Sequence, residues 1–179
     1  MATPIQLSAL RFPVASFRRI PSPVDSPQHH SYVAVVDVFD LPDLSAWRRI
    51  NVRDPKETGA VPKAIRQTLL ENPNMFQFMN RGLVITAKKV EFNTESGTLT
   101  VLMENPEIHD LLDGGHTYKV INTYCSETDR ELLPADRQSF VRVELLEGFG
   151  PEQISDIVEA RNTSNQVKDQ SLLELEKAF

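Results

Sequence analysis

The chain has 179 residues, 40% hydrophobic and 25% charged, a composition that buries the core of one domain. Its formal net charge of −6 excludes a general attraction to DNA or RNA, which are bound through accumulated Lys and Arg; the basic pairs Arg18-Arg19, Arg48-Arg49 and Lys88-Lys89 are short enough to be ordinary solvated surface. A single cysteine, Cys125, excludes an internal disulfide and a cysteine-based zinc site, and no long apolar run or signal-peptide pattern stands out, so a cytoplasmic protein with no membrane partner is expected.

Residues 1–30 read as an N-terminal arm, because prolines at 13, 21, 23 and 27 with serines between them make a poor helix or sheet former. A domain over 31–179 is expected to follow. Tyr32 to Phe39 is a β-branched apolar run interrupted by Asp37 and predicts a buried strand. Leu41 to Ile50 predicts a short helix begun near Asp43, with Leu44, Trp47 and Ile50 spaced three apart. Val61 to Leu70 predicts a second helix, with Pro62 tolerated in the first turn and Ile65, Leu69 and Leu70 on one side. It should end near Asn72-Pro73, since a residue before proline is pushed out of helical geometry.

Gly82 to Phe92 and Thr98 to Met103 predict two strands of a hairpin, joined by the turn-forming run from Asn93 to Gly97. Next, the apolar Leu111-Leu112 stops at Asp113-Gly114-Gly115-His116-Thr117, and apolar spacing resumes at Val120, Ile121 and Tyr124. This reads as a strand passing through a glycine turn into a helix N-terminus. The glycines let a ligand approach the main chain, and the first helical N–H groups carry the positive end of the dipole, which suits an anion. A plain strand-to-helix connection fits the same residues.

Asp113 either caps this helix or positions a metal or a water. His109, Asp110, Asp113 and His116 are not expected to form a dedicated metal site, because adjacent strand residues point to opposite faces. Cys125 falls on the buried side of the helix and reads as an inert core thiol. Phe140 to Leu146 predicts a strand with Val141, Val143 and Leu145 inward. Pro151 to Arg161 predicts a helix with Ile154, Ile157 and Val158 inward, and Ser171 to Phe179 begins another. With no capping signal there, the natural protein is expected to continue past Phe179.

In chain order these features are Asn51-Val52-Arg53, a helix, Asn80-Arg81-Gly82 entering a hairpin, the glycine turn, and Asn162-Thr163-Ser164-Asn165-Gln166. That order resembles the ParB and sulfiredoxin superfamily. Within it, Asn80-Arg81-Gly82-Leu83-Val84-Ile85, Leu112-Asp113-Gly114-Gly115-His116-Thr117 and the Asn162–Gln166 run look most like the abortive-infection phage-resistance (AIPR) proteins and the related DGQHR-motif proteins. The resemblance implies an α+β fold, a mixed sheet with flanking helices, in a bacterial anti-phage defence protein. It also implies a nucleotide, ATP or CTP, with its phosphates at Gly114, Gly115, His116, Thr117 and Lys119. Around them would stand Arg53, Asn80, Arg81, Arg161, Asn162 and Gln166.

Mg²⁺ would arrive with the nucleotide, and Asp113 and His116 would serve any weak NTPase activity. Two departures matter. ParB proteins carry Gly-Glu-Arg-Arg-Tyr-Arg-Ala where this chain has Gly114 to Val120, so both central arginines are absent and with them the bidentate guanidinium fork. Sulfiredoxins carry their reactive cysteine about where Gly115 lies, which argues against that activity. Two further readings stand beside the nucleotide site: a DNA-associated module gripping a backbone phosphate at the same turn, and a non-catalytic interaction domain or homo-oligomer docking through the arm and terminal helix.

Overall fold

The computed structural model describes residues 7–24, 26–50 and 59–161, in two compact units, 1–148 and 149–179. The first unit is an α+β fold. Its elements are β1 (Ser8–Pro13), β2 (Ser16–Ile20), β3 (His30–Asp37), α1 (Ala60–Glu71), α2 (Phe76–Met79), β4 (Leu83–Ala87), β5 (Lys89–Asn93), β6 (Thr98–Met103), β7 (Leu111–Asp113), α3 (Gly115–Glu127) and β8 (Phe140–Glu147). One sheet has the order β1-β6-β5 and the other β2-β3-β8-β4-β7. The second sheet is mixed: β8 runs antiparallel to β3 and parallel to β4.

Hydrophobic patterning sets this arrangement. β8 buries Val141, Val143 and Leu145 and exposes Arg142, as strand alternation requires. β4 has every residue buried, which suits a strand with neighbours on both sides and covered faces. One apolar cluster joins Phe12, Leu99 and Val101 of the first sheet to Ala34, Ile85 and Val143 of the second, with Leu69 of α1 and Ile121 of α3. α1 ends at Asn72, before Pro73, as its sequence predicts; it buries Leu69, while Leu70 is exposed.

Three expectations are corrected. The segment read as an arm contains β1 and β2, and Phe12 is a core residue. Its prolines do not interrupt the strands, since Pro13 closes β1 and Pro21 and Pro23 follow β2, and strand ends tolerate a missing N–H. Gly82 to Phe92 is not one strand: β4 ends at Ala87, and β5 joins the other sheet as the hairpin partner of β6. Asn93 Oδ1 accepts from the Glu95 and Ser96 N–H groups at 2.9 and 3.1 Å, shaping the hairpin turn.

The third correction concerns residues 41–50, which form turns rather than a helix. Their main-chain groups are engaged elsewhere. Leu44 N donates to the Tyr118 hydroxyl (2.7 Å), Trp47 O accepts from Leu111 N (2.9 Å), and Ile50 N donates to Asp110 Oδ2. The spacing of Leu44 and Trp47 still buries both side chains. Tyr118 is the hub of this contact, since its buried hydroxyl also donates to Asp43 Oδ1 (3.0 Å). Tyr118→Phe leaves the Leu44 N–H without its acceptor, and a loss of about 1–3 kcal/mol is expected in urea unfolding.

In the second unit, residues 151–161 are helical, with Ile154 buried and Ile157 and Val158 partly buried. The helix expected over Ser171–Phe179 lies outside the described residues. Among the described residues no helix is long and apolar enough to cross a membrane.

Candidate functional site

The turn between β7 and α3 is built by backbone conformation. Gly114 is the N-cap of α3 at φ 92°, a conformation that costs an L side chain energy. Asp113, which the sequence offers either as the helix cap or as a group positioning a metal or a water, sits one residue earlier. Its Oδ1 accepts from Gly114 N at 2.8 Å, and no side chain caps the helix. Within α3 the Tyr118 N–H reaches back to Gly114 O (2.8 Å). The N–H groups of Gly115, His116 and Thr117 precede that bond and have no acceptor inside the helix. They form the positive end of the α3 dipole.

A second loop, residues 80–82, is clamped onto this turn. Asn80 Oδ1 accepts from Gly82 N (2.8 Å) and from Thr117 Oγ1 (3.2 Å), and its Nδ2 donates to the same hydroxyl (3.1 Å). Asn80 and Thr117 therefore satisfy each other and fix the loop against the helix. Arg81 lies beside the turn, its Nη2 3.8 Å from Asp113 Oδ2, with Arg81 exposed and Asp113 half-buried. His116 Nδ1 is buried with no hydrogen-bond partner among the described residues. Lys119 is half-buried on the next turn.

The fold thus brings together Asn80, Arg81, Asp113, Gly114, Gly115, His116 and Thr117, with Lys119 further along α3. Arg53, Asn162 and Gln166 lie outside the described residues, and Arg161 is helical in the other unit. Sequence reasoning missed Arg48 as a neighbour of this turn. Its guanidinium carbon stands 5.8 Å from the centre of the Tyr118 ring in the first turns of α3, within reach of a cation–π contact. Only the Arg48-Arg49 pair signalled it, and nothing local tied that pair to α3.

Asp110 sits under the same loop and is fully buried. Oδ2 accepts from Ile50 N, but Oδ1 has no partner among the described residues. Burial pushes its carboxyl up to about 6, against the opposing pull of the Ile50, Leu111 and Arg49 N–H groups and the Arg48 charge. His109 turns away into its own loop, where Nδ1 accepts from Glu104 N and Asn105 N, both at 3.0 Å. Two donors on Nδ1 place the imidazole proton on Nε2, and burial lowers its pKa. Among the described residues no three His, Cys, Asp or Glu side chains converge to hold a metal ion. Cys125 points its thiol at Val38 O (3.5 Å), and burial pushes it up to about 11, which keeps it protonated and unreactive at neutral pH.

Residues 49–179, most of the chain and including both loops of the site, match the family described as AIPR protein. The chain belongs to the AIPR family. That places it among abortive-infection, defence-related proteins. No curated protein and no solved structure matches this AIPR chain. The candidate site of this AIPR chain combines a helix N-terminus with no side-chain cap, a clamped loop carrying Arg81, and an acidic group, Asp113, at its rim.

Proposed function

We propose that this domain binds a nucleotide through its phosphates at the N-terminus of α3, as a ParB-like nucleotide-binding domain of an anti-phage defence protein. The observation that carries the reading is the uncapped first turn of α3, whose N–H groups have no intrahelical acceptor and stand beside Arg81. Anions are stabilised at such a terminus by the orphan donors and the dipole together. Phosphate oxygens would accept from the Gly115, His116 and Thr117 N–H groups. Arg81 and Lys119 would supply the charge that the missing ParB arginines do not.

Asp113 would repel a bare phosphate, and Arg81 at 3.8 Å offsets that charge only in part. A nucleotide carrying Mg²⁺ fits better, because Asp113 Oδ1 is held by Gly114 N and Oδ2 would be the oxygen to meet the ion. The ion would shield the phosphate charge when bound. Asp113 and His116 are the side chains at this turn that would serve any weak NTPase activity.

Calorimetric titration of ATP, CTP and GTP, each with Mg²⁺, tests the reading. At least one is expected to bind in the micromolar to millimolar range, and Arg81→Ala to bind it about tenfold more weakly by losing a charge-assisted contact. Melting of that variant should stay close to the parent's, since an exposed ion pair contributes little. Failure of all three nucleotides to bind at millimolar concentration overturns the reading.

A further inference from the structure

The outermost strand of the mixed sheet differs from the other sheet edges in what guards it. β7, at the far end, is shielded by the 41–50 loop, whose Trp47 carbonyl accepts the Leu111 N–H. β5, at an edge of the other sheet, has its Val90 N–H taken by Glu147 Oε2 at 2.6 Å. β1 carries a single arginine, Arg11, and ends on Pro13. β2 pairs only with β3 among the described residues, and Arg18, Arg19 and Ile20 are exposed.

The chemistry of this edge is specific. The Phe17 carbonyl accepts from the strand's own Arg18 Nη1 at 2.7 Å, a contact that an incoming backbone N–H could replace. Arg18 and Arg19 are adjacent and so flank opposite faces of the sheet. Arg19 Nη2 lies 3.0 Å from His30 Nδ1 on β3, while Phe17, on the same face as Arg19, stacks on Tyr32 (ring centres 5.3 Å apart) and anchors the strand. In a chain with 25 acidic and 19 basic residues, this edge is a local reversal of charge.

We propose that the outer edge of β2 takes an extended acidic peptide segment as an added strand. Its backbone would continue the sheet, as in β-augmentation, and two adjacent carboxylates, one on each face, would meet Arg18 and Arg19. An apolar residue beside them would cover Ile20. A second copy of this chain is the poorer occupant, because two-fold pairing of β2 with β2 sets the arginine pairs of both copies against each other.

The test is fluorescence anisotropy on the full chain with a labelled peptide of about ten residues, two adjacent glutamates flanked by valine and threonine. The symmetric sequence serves either strand direction. Saturable binding that weakens with salt is expected. Arg18→Glu combined with Arg19→Glu should bind at least tenfold more weakly and gain affinity for the matching Lys-Lys peptide. N-methylation of alternate peptide amides should also cost at least tenfold, since it removes edge hydrogen bonds and leaves the charge intact. If circular dichroism shows the reversed variant unfolded, Arg18→Gln with Arg19→Gln replaces it, again with weaker binding expected. No saturable binding by the parent, equal binding of the N-methylated peptide, or tighter binding of an oligothymidylate than of the peptide overturns the proposal.

Discussion

Gly114→Ala is expected to destabilise the domain by about 3 kcal/mol or more and to remove the proposed nucleotide binding with it. Two costs combine. At φ 92° an alanine takes on the left-handed penalty, of order 1–2 kcal/mol. Its Cβ would also stand 2.5 Å from Gly82 O, 2.7 Å from Leu83 Cδ2 and 3.1 Å from Leu83 Cα. The first and last of these are backbone atoms at the start of β4, which cannot turn aside as a side chain would. Relief requires separating the 80–82 loop from the turn, and that breaks the Asn80–Thr117 hydrogen bonds.

Gly82→Ala should behave alike, because a Cβ there would lie 2.1 Å from the Arg142 carbonyl oxygen on β8. Chemical denaturation followed by far-UV circular dichroism measures both. A loss below about 1 kcal/mol at Gly114, smaller than the left-handed penalty alone, would mean that the loops are not held in contact.

The second large effect is an inverted pH dependence. An acid whose folded-state pKa is raised binds its proton more tightly in the native than in the unfolded chain. It therefore adds stability at low pH and loses it as pH rises through the folded value. For Asp110 the window runs from its ordinary 3.8 to about 6. Across it the contribution falls by about 3 kcal/mol, at ~1.4 kcal/mol for each pH unit. Two other groups act in the opposite direction. His109, its pKa lowered by burial, loses stability as pH falls through the histidine range, and Asp43, held low by hydrogen bonds from Ser45 and Tyr118, does so at more acid pH.

The difference between parent and Asp110→Asn isolates the Asp110 contribution, since the other groups are common to both. Unfolding free energies measured from pH 4 to pH 7 should show the variant gaining on the parent as pH rises. A flat difference would show that Asp110 titrates alike in both states.

The parts of this fold legible in the sequence are those whose side-chain period matches a local element. β8, α1, the β5–β6 hairpin and α3 each carry a clean period or turn cluster. The 41–50 segment misleads because Leu44 and Trp47, three apart, bury equally well from a turn. Its backbone partners, Tyr118, Leu111 and Asp110, are some sixty or more residues distant. The break between β4 and β5 has no glycine or proline to mark it, and it arises only because the two strands belong to different sheets. β1 and β2 were hidden by prolines that stand at strand ends.

At the site, the glycine turn and Asn80-Arg81-Gly82 were legible as motifs, but their juxtaposition was not. Nor did the sequence show that Asn80 and Thr117 hydrogen-bond to each other across the two loops. Gly114 illustrates the limit well. Read alone, it offers close approach to a ligand; in the fold, the space a side chain would take is filled by Gly82 and Leu83. What remains for a ligand is the helix terminus beyond it.

Backbone amide NMR during titration with Mg²⁺-ATP and Mg²⁺-CTP tests that placement most directly. The account predicts that the Gly115, His116 and Thr117 amide signals shift saturably with one of these nucleotides, and that the shifts shrink in Arg81→Ala. Saturable shifts that leave these three amides unmoved, or no shifts at millimolar nucleotide, would contradict it.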